Sequence, residues 1–178
     1  NGHGMNAVGV VAAMRYGADK RENLKSLGKF GLGLKTASSS ICLKYSLVSR
    51  DQAEAELSKG TWDLDHVSSS NAWELIDEAV TADEELAFEE LCGETGTLVV
   101  WQKCDRLLPP NASYDPGSSG EKAALKRLSG RIADHFGLVY HKYLEPKNTD
   151  YNHVQITVDG ETVEHWNPFY PEKSKQVL

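Results

Sequence analysis

The chain has 178 residues, 40% of them hydrophobic, with a mean hydropathy of -0.46 and a formal net charge of -7. That length gives room for one ordinary domain or one and a half small ones, and no apolar run approaches the ~18 residues needed to span a bilayer, so no membrane role is implied. Cys42, Cys92 and Cys104 are odd in number and far apart, with no C-x-x-C pair and no histidine at ligand spacing, which argues against a disulfide framework or zinc site and predicts a reduced, cytoplasmic setting.

In chain order, the turn-rich Asn1-Gly2-His3-Gly4-Met5 comes first. Residues 6–16 carry Val8, Val11, Ala12 and Met14 at helical spacing and predict a short helix. Residues 17–30 are charged and glycine-punctuated without an apolar period, a loop of functional or mobile character. A second helix is expected from near Gly33 through Leu34, Ala37 and Ile41. Residues 43–49 alternate as a strand, with Leu43, Tyr45, Leu47 and Ser49 on one side. Residues 53–67 read as two more strands separated by Lys59-Gly60, and residues 82–91 as an acidic helix with Leu86, Phe88 and Leu91 as its apolar side. Residues 97–103 form the clearest strand, a nearly continuous apolar run suited to a central, doubly covered position. Proline and glycine mark a linker from Leu108 to Gly120. Beyond it Leu125, Leu128, Ile132, Phe136, Val139 and Tyr143 step by three or four along one long amphipathic helix, and His153–Val163 is two alternating runs across Asp159-Gly160, a hairpin signal.

Charge is unevenly spread. Residues 1–50 hold eight Lys/Arg against two Asp/Glu, residues 51–94 one against fourteen, and residues 95–178 ten against ten. The basic part coincides with two glycine-rich segments, residues 1–5 and Gly28-Lys29-Phe30-Gly31-Leu32-Gly33-Leu34-Lys35-Thr36. Glycines at this density let backbone amides approach a ligand, and the second segment runs into a predicted helix whose free N-terminal amides suit phosphate oxygens. A polyanion such as a nucleoside triphosphate fits that field; solvated loop lysines are the plainer alternative for Lys20, Arg21, Lys25 and Lys29. The acidic middle does not indicate nucleic acid, although contact elsewhere stays possible. A P-loop reading fails by one residue, because Leu34 separates Gly33 from Lys35 and no strand precedes Gly28; a dinucleotide fingerprint fails on glycine spacing.

These residues resemble the GHKL ATPases, the superfamily of gyrase B, the heat-shock chaperone, histidine kinases and MutL, with the MORC-like and MutL-like branches the most similar. NGHGM resembles the tail of the family's D-x-G-x-G motif, KFGLGLKTAS its second glycine motif, and Gly96-Thr97-Leu98-Val99-Val100-Trp101 its G-T strand. The resemblance implies a Bergerat-type α/β (α+β) two-layer sandwich, one mixed or antiparallel sheet with helices on one side. Residues 1–107 would be the C-terminal part of the ATPase domain with a lid at about 17–30, 108–120 the linker, and 121–178 a helix and hairpin leading into a transducer-like region. It also implies ATP with Mg2+ as ligands, ATP-dependent homodimerisation, and an ATP site of Asn1, Gly2, Gly4, Met5, Lys29, Phe30, Gly31, Leu32, Gly33, Leu34, Lys35 and Thr97. In that site the amides of Gly31 to Leu34 hold phosphates, Gly4 and Met5 flank adenine, Thr97 approaches the adenine amino group, and Lys35 meets either a phosphate or solvent. The family's adenine-binding acid, catalytic Glu and Mg2+-binding Asn lie before the position of Asn1, so the resemblance implies a piece of a larger protein that does not turn over ATP alone. A pseudo-ATPase or scaffold whose acidic middle binds a partner is the alternative.

Overall fold

The computed structural model describes residues 2–17, 31–108 and 114–169. The chain forms two compact units, Asn1–Pro109 and Pro110–Leu178.

In the first unit, helix α1 (Ala7–Met14) is capped by Asn6, whose side chain accepts from Gly9 N, and helix α2 spans Gly33–Ile41. Strand β1 (Lys44–Arg50) pairs antiparallel with β2 (Ser58–Asp63) on one side and with β3 (Gly96–Gln102) on the other. Helices α3 (Leu64–Ser70) and α4 (Ala82–Leu91) lie between β2 and β3 in sequence. The result is a mixed α/β unit on an antiparallel sheet, of strand order β2-β1-β3. Sheet alternation sends Tyr45, Leu47 and Trp62 to the α1 side, where they form a core with Val10, Met14 and Cys42.

Four sequence expectations change here. The central strand is β1, with Tyr45 to Val48 all buried, whereas β3 is an edge among the described residues and leaves Val99 and Trp101 partly exposed. An apolar run marks burial but not position within a sheet. Lys59-Gly60 is not a turn between strands but the middle of β2, opposite Val48 and Leu47. A Cβ on Gly60 would lie 3.1 Å from Val10 Cγ1 and 3.6 Å from Met14 Cγ, so the glycine marks where α1 lies on the strand. The second expected strand is α3, started by Asp63, whose carboxylate accepts from Asp65 N and His66 N. In α1 and α4 the buried faces also differ. Val10 and Met14 are buried while Val8 is 80% exposed; in α4 Phe88 and Glu84 are buried while Leu86 is 69% and Leu91 61% exposed.

Glu84 is buried because it has partners. It closes a capping box with Thr81 and lies 2.8 Å from Lys59 Nζ, which also meets Glu78 at 3.0 Å. Glu78 accepts from Thr61 Oγ1 at 3.0 Å and pairs with Lys44 at 3.1 Å. Thr61 gives its proton to Glu78, so it accepts from Ser46 at 2.8 Å, and a continuous polar chain crosses the sheet face opposite α1.

In the second unit, α5 (Ser119–Val139) is capped by Ser118, and a short α6 (His141–Leu144) follows. The single long helix expected through Tyr143 is interrupted at Tyr140, whose φ and ψ are -101° and 15°. The Leu138 carbonyl there accepts from the ring Nδ1 of His141 at 2.8 Å. Gly137 is buried because a Cβ would lie 2.5 Å from the Glu164 carbonyl, and Trp166 N donates to its carbonyl at 3.0 Å. The hairpin has two-residue strands, β4 (Thr157–Val158) and β5 (Glu161–Thr162). Asp159 and Gly160 both have positive φ, 54° and 79°, as a tight primed turn requires.

The buried ion network sets a pH dependence. Burial alone would raise the Glu84 and Glu78 carboxyls, but the hydrogen bonds from Lys59 outweigh it and hold both below their usual 4.5. Burial alone would lower Lys59, and its bonds to Glu84 and Glu78 lift it above 10.5 instead. The carboxylates therefore stabilise the fold above about pH 4.5 and lose that contribution as pH falls through their folded values; Lys59 contributes fully below about pH 10.5 and loses it as pH rises through its own. Glu84→Gln is expected to cost about 3 kcal/mol at pH 7, the lower end for a broken buried pair because Glu78 remains. Urea denaturation should show that difference shrinking at pH 3.

Candidate nucleotide site

The N-terminal glycine loop is held by the junction of β1 and β3 through Ser49, a buried side chain at the end of the central strand. Ser49 Oγ accepts from Met5 N at 2.8 Å, donates to the Gly96 carbonyl at 2.7 Å, and lies 2.8 Å from Thr97 Oγ1. A hydroxyl has one proton, and Ser49 gives it to a carbonyl that can only accept. Thr97 must then donate to Ser49, which leaves the Thr97 oxygen as an acceptor toward any incoming donor. Thr95 Oγ1 fastens the loop again, donating to the Gly2 carbonyl at 3.2 Å.

Gly4 is required by space and by backbone. Its φ is 64°, and a Cβ would run into the Arg50 carbonyl and come within 2.9 Å of that of Gly96. Arg50 fixes the far side of this junction: Nε and Nη2 donate to the Glu94 and Gly93 carbonyls, Nη1 meets Glu89 at 2.9 Å, and the guanidinium lies 5.1 Å from the Phe88 ring centroid.

The second glycine segment leads α2. Gly31 has a φ of 63°. No side chain caps α2, whereas Asn6, Asp63, Thr81 and Ser118 cap α1, α3, α4 and α5. Among the described residues, the first-turn amides of α2 thus carry the partial positive charge of a helix N-terminus without a carboxylate or hydroxyl cap to answer it. A Cβ on Gly33 would meet nothing within 4 Å. Leu32 is exposed, and Leu34 packs against the same core cluster as Met5.

Of the two orientations expected for Lys35, the solvent-facing one is excluded by its burial. The residue is 2% exposed, and its ammonium donates to the Ala13 carbonyl at 2.9 Å. Beside that bond, Trp62 Nε1 donates to the Met14 carbonyl at 3.0 Å. The C-terminal carbonyls of α1 are therefore answered by side chains from α2 and β2 rather than by a glycine cap.

Of the residues expected in the site, Gly2, Gly4, Met5 and Thr97 come together around Ser49, and Gly31, Leu32, Gly33 and Leu34 head α2. Asn1, Lys29, Phe30 and the lid segment from residue 18 to 30 lie outside the described residues. Ser49, Thr95 and Arg50 were missed. The available signal was Ser49 itself, a polar residue in the same alternating row as Tyr45 and Leu47. The positive field read from the sequence is also reduced in space, because Lys44 and Arg50 pair with Glu78 and Glu89. Among the described residues no cluster of His, Cys, Asp or Glu fits a metal ion, and no helix is long and apolar enough to cross a membrane.

The first unit is thus an α/β domain with a glycine loop pinned to an antiparallel sheet and a second glycine segment leading a helix. Residues 1–95 match the family model for histidine kinase-, DNA gyrase B-, and HSP90-like ATPases, and the chain belongs to this family. ATP binding is the general function of that family. No curated protein matches the chain.

Ser49→Ala removes the acceptor of Met5 N and the donor to Gly96 at a buried position. It is expected to destabilise the first unit by about 2 kcal/mol, the cost of buried polar groups left unpaired. Urea denaturation measures the loss, and the same variant should expose the Met5 amide to hydrogen exchange.

Proposed function

We propose that residues 1–107 supply the adenine and phosphate side of an ATP site in a protein that hydrolyses ATP, of the MORC-like or MutL-like branch. The observation that carries this reading is the uncapped N-terminus of α2, whose free amides follow a glycine segment of the family's second motif. In this reading the amides of Gly31, Leu32, Gly33 and Leu34 take the β- and γ-phosphates, with Lys29 and Phe30 leading in. Asn1, Gly2, Gly4 and Met5 border the nucleoside, and Met5 is a flexible apolar wall. The Thr97 oxygen, left as an acceptor by its bond to Ser49, receives the adenine amino group or a bridging water. Lys35 acts as a positioning residue that ties the phosphate helix to the end of α1.

Mg2+ belongs to the reading as the companion of the triphosphate. The described residues hold no cluster of three or more His, Cys, Asp or Glu that could bind it. Residues 17–30 close over ATP as a lid, and closure pairs two copies of the protein. Residues 108–120 are then a linker, and 121–178 lead toward a transducer-like domain. Three free cysteines support a cytoplasmic setting.

Two measurements test this reading. Calorimetry is expected to give weak ATP binding by the 178 residues, no turnover, and tighter binding by a form extended upstream of Asn1. Tight binding by the 178 residues alone would refute the division of the site. In the extended form, Gly33→Val is expected to weaken ATP binding by about 10–100-fold, the loss of one or two charge-assisted backbone bonds. No described residue lies within 4 Å of a Cβ at Gly33, and unchanged circular dichroism is expected to verify the fold of the variant. Unchanged affinity would leave Gly33 with no part in phosphate binding.

A further inference from the structure

A second concave site lies at the opposite end of α1 from Ser49. The helix has eight residues and is about 12 Å long. Met14, Arg15, Tyr16, Trp62, Trp73 and Leu75 border a cleft of about 630 Å³ there, a volume in the range of small-molecule sites. Tyr16, Trp62 and Trp73 meet edge to face with ring centroids 5.5–5.6 Å apart. Rings this close to one another leave no space for a cation between them and form instead a continuous aromatic wall. Trp73, 67% exposed, leaves much of its surface to water.

The polar groups of the cleft are of one kind. Trp62 Nε1 is bound to the Met14 carbonyl and the Tyr16 hydroxyl to that of Tyr45 at 3.2 Å. Among the described residues, the Arg15 guanidinium and the Trp73 indole N–H have no hydrogen-bond partner. Both are donors, and one is a cation. Among the described residues no carboxylate lines the cleft, and the neighbouring Glu74 is turned to His66 at 3.6 Å. A peptide strand cannot extend the sheet at Thr61, because Thr61 and Ile76 exchange both backbone hydrogen bonds there.

We propose that this cleft binds a small aromatic carboxylate, its ring against Tyr16 and Trp73 and its carboxylate on Arg15. The guanidinium fork matches a carboxylate in two parallel bonds, and the aromatic wall supplies the apolar contact. The site is separate from the nucleotide site and contains none of its residues.

Calorimetric titration of the chain with 1-naphthylacetate is the test, with the neutral 1-naphthylacetamide as its partner probe. Saturable binding of the acid is expected. Arg15→Gln should weaken it about tenfold or more while leaving the amide unaffected, the loss of a charge-assisted pair. Trp73→Ala should weaken both probes. Both side chains are exposed, and unchanged circular dichroism verifies the fold of each variant. Absence of saturable binding, or equal affinity of the Arg15→Gln variant for the acid, would overturn the proposal.

Discussion

The first unit depends on the direct contact of α1 with the backbone of β2 at Gly60. With no side chain on that residue, Val10 and Met14 settle against the strand, and the helix lies low on the sheet. Its two ends then reach fixed partners. At the N-terminal end Met5 N finds Ser49, and at the C-terminal end the Ala13 and Met14 carbonyls find Lys35 and Trp62. Both glycine segments of the family are thereby referred to one rigid support. A bulky residue at position 60 would lift the helix and loosen both attachments at once.

The opposite face of the same sheet is held by charge rather than by apolar packing. Lys44, Lys59 and Arg50 point away from the core of α1 and meet Glu78, Glu84 and Glu89. Lysine and glutamate tolerate burial there because each has hydrogen-bonded partners, and the cost of leaving any one alone enforces the register of the rest. The acidic stretch that dominates residues 51–94 is thus partly a structural counterweight to basic residues of β1 and β2. Leu86 and Leu91, on the outside of α4, show the same division from the other side: the helix uses Glu84 and Phe88 inward and leaves two leucines in water.

Ser49 joins three segments far apart in sequence, the loop at Met5, the strand end at Gly96 and the hydroxyl of Thr97. Its hydrogen-bond order decides that Thr97 presents an oxygen rather than a proton to any further partner. Ser49 thereby settles the polarity of its neighbour's hydroxyl. Lys35 likewise joins α2 to a distant segment, held inward against the last turn of α1.

The sequence alone determined the family, strands near residues 43–49 and 97–103, the acidic helix at 82–91 and the turn at Asp159-Gly160, because each rests on local pattern: glycine spacing, alternation, an apolar run, an Asp-Gly pair. Tertiary structure alone decided what local pattern does not encode. Gly60 reads as a break until a helix is laid on it, β3 reads as central until its neighbours are counted, and α1 is apolar nearly all round, so its spacing cannot say that Val10 goes in and Val8 out. Lys35 and Ser49 belong to the same class, since a buried polar side chain is defined by partners more than twenty residues away, and those partners exist only once the chain has folded.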